Sequence, residues 1–521
     1  MEVTPFPWTL FVRHAMRRWV FSLFCTLSLL SLTVPSPAAL KLGKKGTTLG
    51  GRLTLPLVGD RNETFLLIPS LNGGPTRLSL ADPRDPRSLS VGLDLLFLAQ
   101  VGVLDGTGRA VPALNLPADP VLQGTLLHWQ ALTLPGKTYL VDDISNPVLT
   151  LLGISRTFSL LPGRLPFSTT LPGVAVLKDG RILVCGGGQG NMNAGGATKK
   201  TAVFDPSTYT WRRGPDMLHD RGAHVTIRLK DGRVLVCGGT DTQKRVLSSC
   251  EIYDPARGRW TYTGSMTTAR VGHQGVLLPD GKVLVCGGTR DVSDPVKAIK
   301  GALKSAEIYD PARGRWSRTS DMHVVRFGHT LTLAGSRAVA AEGLSVKYFL
   351  GIPIPNFQDS AEYFYKGRWY YTGKVPGKRA GHSAVTLSNG KILLCGGVYG
   401  SNILDPNSYK PLSSAALYDP STNRWRSLPS MRTARGLPTL LALPGGKALV
   451  SGGAAGTYAK PVALASCEIF NGSSFSYNRS SMRVARGAHV IVPLPEGSFL
   501  LIAGAGGSSN TSLSSCEIFF P

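Results

Sequence analysis

The chain has 521 residues, 42% of them hydrophobic, which is enough apolar material for large buried cores and excludes a disordered protein. Lys and Arg outnumber Asp and Glu by 57 to 32, a net charge of +25, so the protein carries a positive field that attracts anionic partners. The basic residues are spread through the chain rather than clustered among aromatics, and nucleic acid is not an expected partner.

Residues 1–38 begin with a basic flank, Arg13, Arg17 and Arg18, followed by the 16-residue apolar run "WVFSLFCTLSLLSLTV" and then "PSPAA". That order reads as a secretory signal with Ser36 and Ala38 as the small cleavage-site residues, and it predicts a secreted or cell-envelope-associated protein. The alternative is an uncleaved anchor, but the run falls short of the roughly 20 residues that a spanning helix needs. No later segment is long and apolar enough to cross a bilayer. Residues 40–155 contain short apolar runs, "ETFLLIPSL", "VGLDLLFLAQVGVL" and "GTLLHWQALTLPG", broken by Gly, Pro and Asp, and are expected to form a small β-rich domain of unnamed role.

From residue 156 onward the chain repeats itself. "EIYDPARGRW" fills residues 251–260 and returns at 307–316. The full unit reads Arg-x-Gly-His, an apolar strand, Asp/Asn-Gly, "KVLVCGG", a variable loop, "CEIYDP", a turn, then Trp. The second glycine of the doublet recurs at Gly187, Gly239, Gly288, Gly343, Gly397 and Gly453, with Ala505 in the seventh place, a period near 50 residues. In this pattern residues 156–521 resemble the kelch-repeat family. The resemblance implies an all-β fold, a seven-bladed kelch-type β-propeller preceded by the small β-rich domain.

The strand chemistry supports that reading. Each unit supplies four strand-like stretches, and a lone four-stranded sheet would leave its apolar faces in water, so the units must stack face to face. Trp211, Trp260, Trp316, Trp369 and Trp425, with Phe475 in the sixth copy, are large plugs between sheets. The seventh copy runs to "CEIFFP" with no Trp strand, whereas "RTFSLLPGRLPF" at 156–167 places Phe158 close to the Trp register. That segment is expected to complete the last blade.

Apart from Cys25, the cysteines occupy two repeated places: Cys185, Cys237, Cys286 and Cys395 before the glycine pair, and Cys250, Cys467 and Cys516 at the start of the "CEI" strands. Ala341, Ser451 and Ala503 fill the first place in other copies, so the cysteines read mainly as small core residues, with disulfides as the lesser alternative.

Candidate sites follow from the repeat. Arg221, Arg270, Arg326, Arg379, Arg435 and Arg486 share one position, and His224, His273, His329, His382 and His489 follow three residues later. Near one mouth of a propeller the Arg set is a ring of guanidinium forks suited to carboxylate, sulfate or phosphate. The alternative is that each Arg ties down its own loop through carbonyls. One histidine per blade is not a metal site, which needs several ligands at one point. The fourth copy breaks the pattern with Glu342-Gly343 and the loop "LSVKYFLGIPIPNFQDS", whose Tyr348, Phe349 and Phe357 are candidate apolar anchors, and Lys297, Lys300 and Lys304 of the third copy should lie on the same face.

No HExxH, P-loop, Gly-x-Ser-x-Gly or Cys-x-x-Cys occurs. Galactose oxidases carry a copper-radical site on a kelch propeller, and the resemblance to them is in the scaffold alone: their adjacent Tyr-His pair is not present, and their later histidine ligand has no counterpart before Pro521. The expectation is a monomeric exported protein without catalytic residues, metal or cofactor, which binds a protein or an anionic polysaccharide through loops on one face. A galactose-oxidase-like or carbohydrate-active enzyme using the channel mouth is the alternative.

Overall fold

A computed structural model describes residues 39–134, 139–190, 196–349, 352–400, 408–457, 460–506 and 511–521. The segment read as a secretory signal lies outside the described residues. Among the described residues two compact units emerge, 39–155 with Pro495–Gly497 and Arg156–Leu494 with Ser498–Pro521. Among the described residues the one α-helix is Pro295–Lys300, and no helix is long and apolar enough to cross a membrane.

The smaller unit is built on an antiparallel sheet in the order Val148–Leu151, Leu126–Leu134, Thr64–Ser70, Gln100–Val103. Side chains alternate across a strand, yet the two central strands are apolar almost throughout because both of their faces are covered. Phe65, Leu67, Trp129 and Ala131 pack with Leu40, Leu53 and Leu57 on one side, while Leu66, Ile68, Leu132 and Leu134 pack with Leu78, Leu89 and Val91 on the other.

The larger unit is a propeller. Its described residues form seven four-stranded antiparallel sheets. Blades 1 to 6 span residues 173–213, 225–263, 274–318, 330–371, 383–428 and 439–477, each in chain order from the innermost strand outward. Blade 7 takes Val490–Pro493, Phe499–Ile502 and Cys516–Phe520 from the end of the chain and its outermost strand, Thr157–Leu160, from the segment before blade 1. The second strand of each blade is buried, apart from its first residue in blades 4, 6 and 7, and is apolar throughout in Val234–Cys237 and Val283–Cys286, because neighbouring blades cover both of its faces.

Two sets of contacts recur. Between blades, the N–H of the second glycine donates to the carbonyl of the residue that begins the next blade: Gly187 to Arg221 (2.8 Å), Gly239 to Arg270 (2.9 Å), Gly288 to Arg326 (2.8 Å), Gly343 to Arg379 (2.9 Å), Gly397 to Arg435 (2.8 Å) and Gly453 to Arg486 (3.0 Å). Gly504 donates to Thr169 (3.1 Å) and carries the series from the last blade back to the first. Gly504, rather than Ala505, therefore holds the seventh place, and Ile502, rather than Ala503, holds the cysteine position, because Val490↔Ile502 is the register that Thr439↔Ser451 has in blade 6. Glycine is required here: at Gly239, φ is +91° and a Cβ would lie 2.5 Å from the Gly222 carbonyl oxygen.

Within blades, an aromatic pair joins the two outer strands. Phe204–Trp211, Tyr253–Trp260, Tyr309–Trp316, Phe364–Trp369, Tyr418–Trp425 and Phe470–Phe475 have ring centroids 4.9–5.4 Å apart, and each pair is in direct cross-strand register. Phe158 supplies the equivalent ring of blade 7, 4.9 Å from Phe519.

Candidate functional site

The six repeat arginines are fully buried. In blade 3, Arg270 Nη1 donates to the carbonyls of Gly287 and Ser305, both at 3.0 Å, and Nη2 donates to Glu307 at 2.7 Å. Glu307, on the third strand, also accepts the N–H groups of Thr267 (2.6 Å) and Thr268 (3.1 Å) in the loop entering the blade. This interlock ties the entry loop to the blade with a charge pair that has no access to water. Glu251 with Arg221, Glu362 with Arg326, Glu468 with Arg435 and Glu517 with Arg486 repeat it, each glutamate again holding two loop N–H groups. Arg221, Arg270, Arg326, Arg379, Arg435 and Arg486 thus form no ligand-facing ring. Their Nη donors are engaged inside the protein, while Nε of Arg270 and Arg435 is buried with no hydrogen-bond partner among the described residues.

Two blades depart from the rule, and they do so coherently. Aligned on the strand registers, blade 1 has Thr169 for the arginine and Ala202 for the glutamate, so both charges are lost together. Blade 5 keeps Arg379 but has Ala416 for the glutamate. In both blades the first loop residue whose N–H the glutamate would accept is a proline, Pro166 or Pro376, which has no N–H to offer. Arg379 takes its carboxyl from across the blade boundary. Glu342, at the first doublet position of blade 4, places Oε2 3.0 Å and Oε1 3.1 Å from Arg379 Nε. A Cβ at the equivalent Gly238 would point at Arg270 and His273 of the following blade, which is the direction the Glu342 side chain takes. Glu342 holds a left-handed φ of 54° to do this, a strained backbone for a side-chain-bearing residue. Burial pushes its carboxyl up to about 8 against the pull of Arg379 and Arg326.

At this junction a cleft of about 660 Å³ is lined by Asp359, Lys374, Val375, Pro376, Gly377, Lys378, Tyr399, Leu412 and Ser414. The glutamate that draws the entry loop onto the blade elsewhere is missing here, and the cleft lies along that loop, which is held instead by the Val375 N–H on the Asp359 carbonyl (2.9 Å) and by Arg379 Nη2 on the Pro376 carbonyl (3.1 Å). Phe357 is not an exposed anchor: it is buried, with its ring 5.2 Å from Tyr399, which lines the cleft, and 5.7 Å from Tyr409. The segment read as an apolar loop is a hairpin, Leu344–Phe349 paired with Ile352–Phe357. Tyr348 and Phe349 lie in its first strand, and their side chains fall outside the described set. Lys297 and Lys300 are exposed on the helix Pro295–Lys300, which adjoins this hairpin and is capped by the Asp294 carboxylate on the Lys297 N–H (2.8 Å). Ile354, Tyr399 and Val296 are exposed on the same loops. Sequence reasoning missed Lys374, Lys378 and Ser414. Their signal is the paired loss of Glu and gain of Pro, visible when the repeats are aligned on their interlock.

Each repeat histidine is a blade-to-blade contact. His224, His273 and His329 meet Cys185, Cys237 and Cys286 of the preceding blade at 3.6–3.9 Å, and His489 meets Ser451 at 2.9 Å. His382, opposite Ala341, turns to Thr330 at 3.0 Å. Burial, aided by the neighbouring arginines, pushes His224, His329 and His489 down to about 3, so these rings are neutral. The seven cysteines among the described residues are free and buried.

Residues 172–218, 221–267, 271–323 and 378–432, which cover blades 1, 2, 3 and 5, match the Kelch motif. These four repeats are kelch repeats. The divergent fourth blade is not among the matched segments. Galactose oxidase of Gibberella zeae is 28% identical to the kelch chain over 149 residues, which are 26% of this chain and 20% of that protein, so only about a fifth of the relative's length is spanned. Among solved structures, a fungal alcohol oxidase of the AA5 family in complex with copper has a similar fold, with a TM-score of 0.52 and 18% identity over 70% of this chain and 76% of that one. The kelch chain's residues do not fit a copper centre of that kind. Its repeat histidines are dispersed one to a blade and engaged with the preceding blade, and among the described residues no group of three His, Cys, Asp or Glu could hold a metal.

Proposed function

We propose that this kelch propeller is an exported binding protein without catalytic residues, which docks a protein partner on the loops that follow the glycine doublets of blades 3 to 5. The observation that carries the reading is the cleft at the blade 4–5 junction, where the rebuilt interlock leaves a loop without its glutamate tether beside exposed apolar and basic side chains. The turns at the other ends of the strands are short, "DPARG" in blades 2 and 3 and "DPST" in blades 1 and 5, and serve folding. Exposed Val296, Ile354 and Tyr399 among Lys297, Lys300 and Lys378 supply the apolar centre and basic rim of an interface on a chain of net charge +25.

The test compares capture of extracellular proteins from the source organism by immobilised wild type, by a loop-face variant (Lys297→Glu, Lys300→Glu, Ile354→Ser) and by an opposite-face variant (Arg257→Glu, Arg313→Glu). The expected result is a partner retained by the wild type and the opposite-face variant and lost by the loop-face variant. Equal capture by all three, or copper-dependent oxidation of primary alcohols or sugars by the purified protein, refutes the proposal.

A further inference from the structure

The cleft at the blade 4–5 junction also indicates what it binds. In blades 2, 3, 4, 6 and 7 the serine that precedes the third strand accepts Arg Nη2 through its hydroxyl: Ser249, Ser305, Ser360, Ser466 and Ser515, at 2.9–3.2 Å. In blade 5, Arg379 Nη2 donates instead to the Pro376 carbonyl at 3.1 Å. Ser414 Oγ is released from the interlock and lines the cleft. The second loop N–H, bonded to glutamate in those five blades, belongs here to Gly377, and among the described residues it has no acceptor. Lys378, the next residue, is exposed and has no acidic partner among the described residues. Three donors with no protein acceptor among the described residues therefore line one cleft, beside the position where the repeat pattern calls for a carboxylate.

We infer that the cleft takes a carboxylate from an acidic segment of a partner protein, held by Lys378, Ser414 Oγ and the Gly377 N–H in place of the glutamate that blade 5 lacks. This rests on the binding reading above and names the chemistry of its ligand. Two features select a peptide over a sulfated or uronic-acid glycan. Val375, Pro376, Leu412 and Tyr399 give the cleft an apolar wall, which suits an aliphatic or aromatic residue beside the acid. Asp359 stands on the same rim, and although Lys374 lies 3.3 Å from it, its charge opposes a dense polyanion while leaving room for one carboxylate.

The probes are a fluorescein-labelled alternating Glu-Tyr decapeptide, its Gln-Tyr counterpart and a labelled heparin decasaccharide, titrated with the full chain by anisotropy at physiological salt. Two variants remove the site in opposite ways. Lys378→Glu reverses the charge of an exposed residue. The triple variant Glu342→Gly, Pro376→Leu, Ala416→Glu gives blade 5 the set that blade 2 has in Gly186, Leu218 and Glu251, and should draw the loop closed while melting no lower than wild type. The Glu-Tyr peptide is expected to bind wild type at least about tenfold more tightly than the Gln-Tyr peptide, and each variant should weaken it by at least about tenfold. Should the triple variant not fold, Lys378→Glu carries the test. Equal binding of the two peptides, peptide binding that survives Lys378→Glu, or loss of heparin binding alone overturns the inference. Partner capture that is lost with Lys297, Lys300 and Ile354 but kept by both cleft variants also overturns it, while leaving the docking face in place.

Discussion

The interlock of blade 3 permits a quantitative test, because the chain already contains its double replacement. Glu307 is fully buried, and Glu307→Ala would strand the Arg270 guanidinium and leave the Thr267 and Thr268 N–H groups without an acceptor. Breaking a buried pair from one side costs about 3–5 kcal/mol, and the orphaned N–H groups place this variant at the upper end, about 5 kcal/mol. Arg270→Thr strands a carboxylate that still has two N–H donors, and about 3–4 kcal/mol is expected. The double variant is the Thr169 and Ala202 arrangement of blade 1, so no unpaired charge remains. It should cost about 4–6 kcal/mol instead of the 8–9 kcal/mol sum, a coupling of about 3 kcal/mol. Adding Thr267→Pro, the Pro166 solution, removes one orphaned donor and should recover part of the remainder. Urea unfolding followed by tryptophan fluorescence on all four proteins measures the cycle. Additive single costs, or single costs below about 1 kcal/mol, would show that the pair does not act as a unit and would sink the reasoning.

Other expectations follow from particular side chains. Glu342 holds its proton up to about 8 in the folded protein against an ordinary value of 4.5, so the stability it contributes is full below about 4.5 and is lost as pH rises through about 8; Glu342→Gln should flatten that slope, and identical pH profiles would refute it. Trp260 is buried and its indole N–H donates to the Pro215 carbonyl at 2.9 Å, whereas the Trp211 indole N–H has no partner among the described residues. Trp260→Ala should cost about 3–5 kcal/mol, and Trp260→Phe should cost about 1 kcal/mol more than Trp211→Phe; equal losses for the two Phe variants would contradict the hydrogen bond. Deleting residues 156–167 removes Phe158 from its contact with Phe519 and uncovers the last sheet, so this truncation should melt well below one lacking residues 40–150, and equal melting temperatures would count against the shared blade.

The propeller was legible because its determinants are local and repeated. The glycine doublet and the outer-strand tryptophan each mark one position per blade, and the want of a tryptophan strand in the last copy pointed to Phe158. The register of blade 7 was misplaced by one residue because Ala503 stands where the other copies have a glycine or Glu342, and only strand pairing reveals that Gly504 makes the inter-blade bond. The arginines were harder to read. A row of Arg looks the same whether it faces a ligand or a buried carboxylate, and the partner glutamate lies 30 to 37 residues further along the repeat. What decides between the two is the joint loss of both in blade 1, a correlation between copies that no single copy contains. The hairpin residues Tyr348 to Phe357 were read as a sticky loop because apolar composition does not reveal which face is covered, and Phe357 turns inward onto two tyrosines.

The carboxyl that Glu342 sends across its blade boundary bears on how such a chain can be inherited and rearranged. Blades 2, 3, 4, 6 and 7 each keep both halves of their interlock, so a gene segment encoding any one of them carries a self-sufficient charge balance when duplicated, deleted or exchanged. Blade 5 does not: copied alone it brings a buried arginine without its carboxyl partner, and blade 4 copied alone brings a buried carboxyl without its arginine. Shuffling is thereby restricted to moving the two as a block. A circular permutant with its new ends at the 372–378 connection would keep the pair only through non-covalent closure, whereas ends placed at the other junctions would leave every interlock within a continuous stretch of chain.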